Sequence, residues 1–169
     1  MTAWLAVGMV VAALPLVLAV SWAMQRRMTG RFVGCLVASL VGAAGLAALL
    51  GTIGAHLTYD PRETGPIGNW SALVGLVIGS GAGWIAGAVA APAVFLRLLG
   101  VRVDAARLLV GVVSGSVVSG VLFWVLEIMR FGEGPSVWPT RALMVLSSSA
   151  TFAALVLASR EPLEQQPTA

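Results

Sequence analysis

Residues 70–96 read WSALVGLVIGSGAGWIAGAVAAPAVFL and hold no Asp, Glu, Lys, Arg or His. A helix needs roughly 20 predominantly apolar residues to cross hydrocarbon, and this stretch supplies them. In lipid no water is at hand for backbone N–H and C=O groups, so a spanning segment has to satisfy them within itself, as a helix does. Four more stretches of the same kind flank it: Ala3–Met24, Phe32–His56, Leu108–Met129 and Arg141–Ser159. The predicted fold is all-α, a five-span transmembrane helical bundle. One domain takes up residues 1–160, with a short tail over 161–169.

Composition agrees. Of the residues, 59% are hydrophobic and the mean hydropathy is +0.96. The spans use up nearly the whole length, and the longest polar connection is Leu57–Asn69, so no separate soluble domain is expected. The formal net charge is +3, and all ten basic residues are Arg. They are spread beside the spans and make no patch dense enough for nucleic acid. Arg26, Arg27, Arg31, Arg97, Arg102, Arg107 and Arg160 fall on one side; Arg62, Arg130 and Arg141 fall on the other. Positive charge near span ends is retained in the cytoplasm, which predicts N-out and C-in in the plasma (inner) membrane. The first span lacks a basic leader and its apolar run is long, so it is expected to be a retained helix, not a cleaved signal. Pro15 is expected to kink it. Trp4, Tyr59, Trp70 and Trp138 fall at outer interfaces and Trp22 at an inner one, while Trp84 and Trp124 lie deeper and read as packing residues.

Gly75, Gly79, Gly83 and Gly87 recur every four residues and lie on one helical stripe. A stripe without side chains lets another backbone approach closely, the glycine-zipper mode of helix association in lipid. Gly111, Gly115 and Ser119 repeat the idea in the fourth span, so the third and fourth spans are expected to be able to pack on each other. LVGLVIGS (Leu73–Ser80) and LVGVVSGS (Leu109–Ser116) are alike, as an inverted repeat would make them or as chance would in a chain dominated by Leu, Val and Gly.

Chemistry-bearing residues are few. His56, Asp60, Glu63, Glu127 and Arg130 gather toward the outer face. His56 and Asp60 are spaced i,i+4 if the second helix runs that far, and Glu127 and Arg130 are spaced for an i,i+3 ion pair. One His with scattered carboxylates is far below the ligand density of a zinc or haem site, so no metal or cofactor is expected. A lone Cys35 reads as a small buried hydrophobe. Ser114 and Ser116 of the fourth span, with Ser147, Ser148 and Thr151 of the fifth, are the candidates for a polar path.

These features point first to a non-catalytic protein, a packing or assembly subunit of a homo-oligomer or larger membrane complex. Its partners are the lipid bilayer and other membrane chains, not nucleic acid. The alternatives are a small channel or permease along the fourth and fifth spans, and a membrane-embedded enzyme using the outer cluster.

Overall fold

Five helices follow one another in the computed structural model, which describes residues 2–63, 69–128 and 137–160. They are α1 (Thr2–Gln25), α2 (Thr29–Thr58), α3 (Trp70–Leu98), α4 (Ala105–Ile128) and α5 (Val137–Ala158). All five are long and apolar enough to span a membrane, and their ends fall within about one turn of those expected. At 1.5 Å per residue, the 30 residues of α2 reach roughly 45 Å, more than the roughly 30 Å of a hydrocarbon core. α1 continues as a helix through Pro15 and α3 through Pro92.

The helices are apolar on every side, and residue size decides what is inside. In α1, Gly8, Ala12, Ala19 and Ala23 are buried while Val10, Leu14, Val17 and Leu18 are exposed. Where the surroundings are as apolar as the interior, burying a large side chain gains little, and close backbone approach decides instead. The larger buried groups, Phe32, Leu96, Phe152, Val156 and Leu157, come from the arginine-rich ends of α2, α3 and α5.

α5 is the hub, since it alone touches all four other helices. The closest pair is α2 and α3, which run antiparallel. Gly42 faces Gly87, Leu46 faces Gly83, Leu50 faces Gly79 and Gly54 faces Gly75. At each step a Cβ on the α3 glycine would overlap a carbonyl of α2. α3 and α4 barely touch, so the expectation that their small-residue stripes pack together is corrected. The α3 row is taken up by α2. Gly111 and Gly115 instead face Leu155 and Phe152 of α5. Trp124, read as a packing residue, is 64% exposed, because α4 leans on α5 and little else.

Two turns at the arginine-rich end share one design. Val101 N–H donates to the Leu96 carbonyl at 2.9 Å and Gly100 N–H to Arg97 at 3.0 Å; Met28 and Arg27 repeat the pattern onto Ala23 and Met24. This is the Schellman ending, which puts one residue in the left-handed region. Gly100 takes it at φ 74° and Arg27 at φ 52°. A side chain there costs about 1 kcal/mol. Gly100→Ala is therefore expected to destabilise the bundle by about that amount, and Arg27→Gly to relieve a similar strain. Unfolding by added denaturing detergent, followed by circular dichroism, measures both.

The α2–α3 contact makes a sharper prediction. Gly83→Leu has to push the two helix backbones apart and is expected to cost about 3 kcal/mol. Gly45→Leu, on α2 with nothing near its Cβ position, is expected to change stability by less than about 0.5 kcal/mol. The same unfolding assay compares the two; equal effects would contradict the contact.

Candidate functional site

Of the polar residues expected to gather at one end, Asp60 and Glu63 lie in the turn between α2 and α3 and His56 in the last turn of α2. Pro61 holds the residue before it in extended backbone, and α2 stops at Thr58, with Tyr59 extended (φ −61°, ψ 121°). The i,i+4 pairing of His56 with Asp60 is therefore corrected, since Asp60 lies beyond the helix. Its carboxylate accepts from Arg62 N–H at 2.9 Å. His56 is exposed.

Asn69 organises the turn. Its Oδ1 accepts from Ala72 N–H at 3.0 Å, from the Ser71 hydroxyl at 2.8 Å and from Asp60 N–H at 3.4 Å, and its Nδ2 donates to the Asp60 carbonyl. Glu63 adds a carboxylate oxygen 2.9 Å from Ser71 N–H. Both groups satisfy free N–H groups at the start of α3, and Glu63 also sets negative charge on its positive dipole end. The Thr58 hydroxyl sits between the carbonyls of Gly54 (2.9 Å) and Ser71 (2.7 Å) and ties the two helices together. The cluster is a cap and a clasp. Glu127, on α4, and Arg130 lie outside the described side chains.

The hydroxyls proposed for a polar path are not brought onto one line. Ser147 is buried and donates to the Ala12 carbonyl of α1. Ser148 turns the other way, 2.9 Å from the Ser119 hydroxyl of α4. Thr151 bonds back to the Ser147 carbonyl at 2.8 Å. Ser114 is exposed on α4, and Ser116 is half-buried. Ser149, in the same run as Ser147 and Ser148, and Ser39, which sequence reading missed, are fully buried, and their hydroxyls have no hydrogen-bond partner among the described residues.

Because α4 is held mainly by α5, an open groove flanks it on either side. One, of about 470 Å³, runs between α3 and α4 over α5, with Gly81, Trp84, Gly120 and Phe123 on its walls and Ser148 and Phe152 on its floor. The other, of about 460 Å³, runs between α1 and α4 past Leu14, Leu18 and Val118. Gly81 and Gly120 have nothing within 4 Å of a Cβ position, so the walls of the first groove are bare backbone. Sequence reading passed over both glycines because neither continues a four-residue row.

Comparison with models of protein families, with curated proteins and with solved structures finds no match to this chain.

If Asn69 is the clasp, Asn69→Ala is expected to lower stability by about 1–2 kcal/mol, while Asn69→Asp, which keeps the accepting oxygen, is expected to lose less. Detergent unfolding of the three proteins side by side checks the order.

Proposed function

We propose that this protein is a non-catalytic, multi-pass membrane protein, N-out and C-in in the plasma (inner) membrane. In this reading it acts as a packing subunit of a homo-oligomer or larger membrane complex. The observation that carries it is the state of α4. A 24-residue apolar helix leans on one neighbour, shows an exposed Trp124 and Phe123, and borders a groove whose walls include the bare backbone of Gly81 and Gly120. Small residues that line a groove open to the bilayer are what a further helix needs for close approach. The row at Gly75–Gly87 supports the same reading indirectly. It uses its close approach within the chain and builds a firm platform for the rest.

The polar groups add little to the other readings. Asp60, Glu63 and Asn69 are bound to backbone N–H groups, which is what a structural turn asks of them. The hydroxyls required for transport are divided between the α1–α5 and α4–α5 interfaces.

Cys35 is the chain's single cysteine and is buried, so a Cys35→Ser background serves for single-cysteine cross-linking in native membranes. A cysteine placed at Gly120 is expected to cross-link to a neighbouring chain, while one at the equally open Gly45 of α2 is expected not to. Native mass in mild detergent above that of one chain should accompany the cross-link. A monomeric mass with no cross-linking at position 120 would overturn the assembly role. An active alkaline phosphatase fused to the C-terminus would overturn the orientation.

A further inference from the structure

At the arginine-rich end, the loop from Leu99 to Asp104 folds back on the bundle. Val101 and Val103 pack on the core cluster. Val103 makes an isolated bridge with Arg160, and Asp104 N–H donates to the Ser159 carbonyl at 2.8 Å. In extended backbone successive side chains point to opposite sides, so two inward valines turn Arg102 outward, and it is exposed. Arg97, in the last turn of α3, stands four residues from Ala93 and three from Val94, on the same helical face. These six residues, Ala93, Val94, Arg97, Val101, Arg102 and Val103, line one groove of about 440 Å³.

The charge in this groove is uncompensated among the described residues. The nearby carboxylate, Asp104, is committed elsewhere. Its Oδ1 accepts from Ala106 N–H at 2.9 Å and Arg107 N–H at 3.4 Å, and its Oδ2 lies 3.4 Å from Arg107 Nε. Two guanidiniums therefore share a groove with no carboxylate in its lining among the described residues, beside an apolar wall on which Val94 is 57% exposed. A guanidinium presents paired N–H groups that match phosphate oxygens. An inorganic anion would use only the cationic end of the groove, whereas a phospholipid would use both ends.

We infer that this groove is a binding site for an anionic phospholipid, whose phosphate is held by Arg97 and Arg102 and whose acyl chain lies along Ala93 and Val94. Basic grooves at span ends are suited to such headgroups. The inference rests on the membrane placement proposed above and is independent of the assembly role.

The test is titration of the purified full chain in mild detergent with phosphatidylglycerol, phosphatidylcholine or inorganic phosphate, read by native mass spectrometry. Phosphatidylglycerol is expected to bind in preference to phosphatidylcholine and not to be displaced by equimolar phosphate. Removing both charges (Arg97→Gln with Arg102→Gln) is expected to weaken phosphatidylglycerol roughly thirtyfold, and Arg102→Gln alone about fivefold. Arg26→Gln with Arg31→Gln, at the same end but outside the groove, is expected to leave it unchanged. The exposed Arg102→Gln change alone decides the matter if the double variant fails to fold. Equal binding of the two lipids, equal loss in both double variants, or full displacement by phosphate would overturn the site. Release of the native protein from membranes by alkaline carbonate would instead overturn the membrane placement.

Discussion

The carbonyls of Gly42, Leu46, Leu50 and Gly54 on α2 meet Gly87, Gly83, Gly79 and Gly75 of α3 at a separation that leaves no room for a methyl group. In lipid, two apolar helices would gain nothing by hiding from the medium, and van der Waals contact between backbones would have to supply the attraction. Glycine permits that contact, and a four-residue step on both helices repeats it along their length. Cα–H groups set against carbonyl oxygens add roughly 0.5–1 kcal/mol at each crossing. The Asn69–Glu63–Thr58 clasp closes one end of the pair and the Phe32–Leu96 core fills the other. α5 then packs on both helices, and α1 and α4 pack on α5.

That order explains why polarity is placed as it is. Some helix hydroxyls are used at crossings, where they are small enough to fit and can reach a neighbour's carbonyl or hydroxyl, as Ser147 and Ser119 do. Charge stays at the ends. One end is a cap, in which carboxylate and amide oxygens meet the free N–H groups of α3. At the other, Asp104 caps α4 in the same way and leaves Arg97 and Arg102 facing outward. The same device, an acidic side chain on a helix N-terminus, thus engages Glu63 at one end and Asp104 at the other.

Much of this was legible in the chain. Length and apolarity, with no charge in Trp70–Leu96 and little in the other four stretches, made the helices readable, because a single segment in lipid satisfies its own backbone only as a helix. The α3 glycine row was legible as a contact surface, but its partner was not. On α2 the matching row is interrupted by Leu46 and Leu50, whose backbones, not side chains, make the contact. The hairpin cluster was legible as a concentration of polar residues. Its role was not, because the end of α2 at Thr58 decides whether Asp60 faces His56 or the α3 cap. Uniform apolarity hid which faces of α4 are covered: Trp124 and Trp84 look alike in sequence, yet one is exposed and the other packs on the core.

The central claim is that the α3 glycines are consumed within one chain. Solid-state NMR in proteoliposomes, with carbonyl-labelled leucine and α-carbon-labelled glycine, reads it directly. A cross-peak between the Leu46 carbonyl carbon and Gly83 Cα is expected in doubly labelled protein, and is expected to vanish when the two labels are carried on separate, mixed chains. A cross-peak that persists in the mixed sample, or none in either, would contradict it.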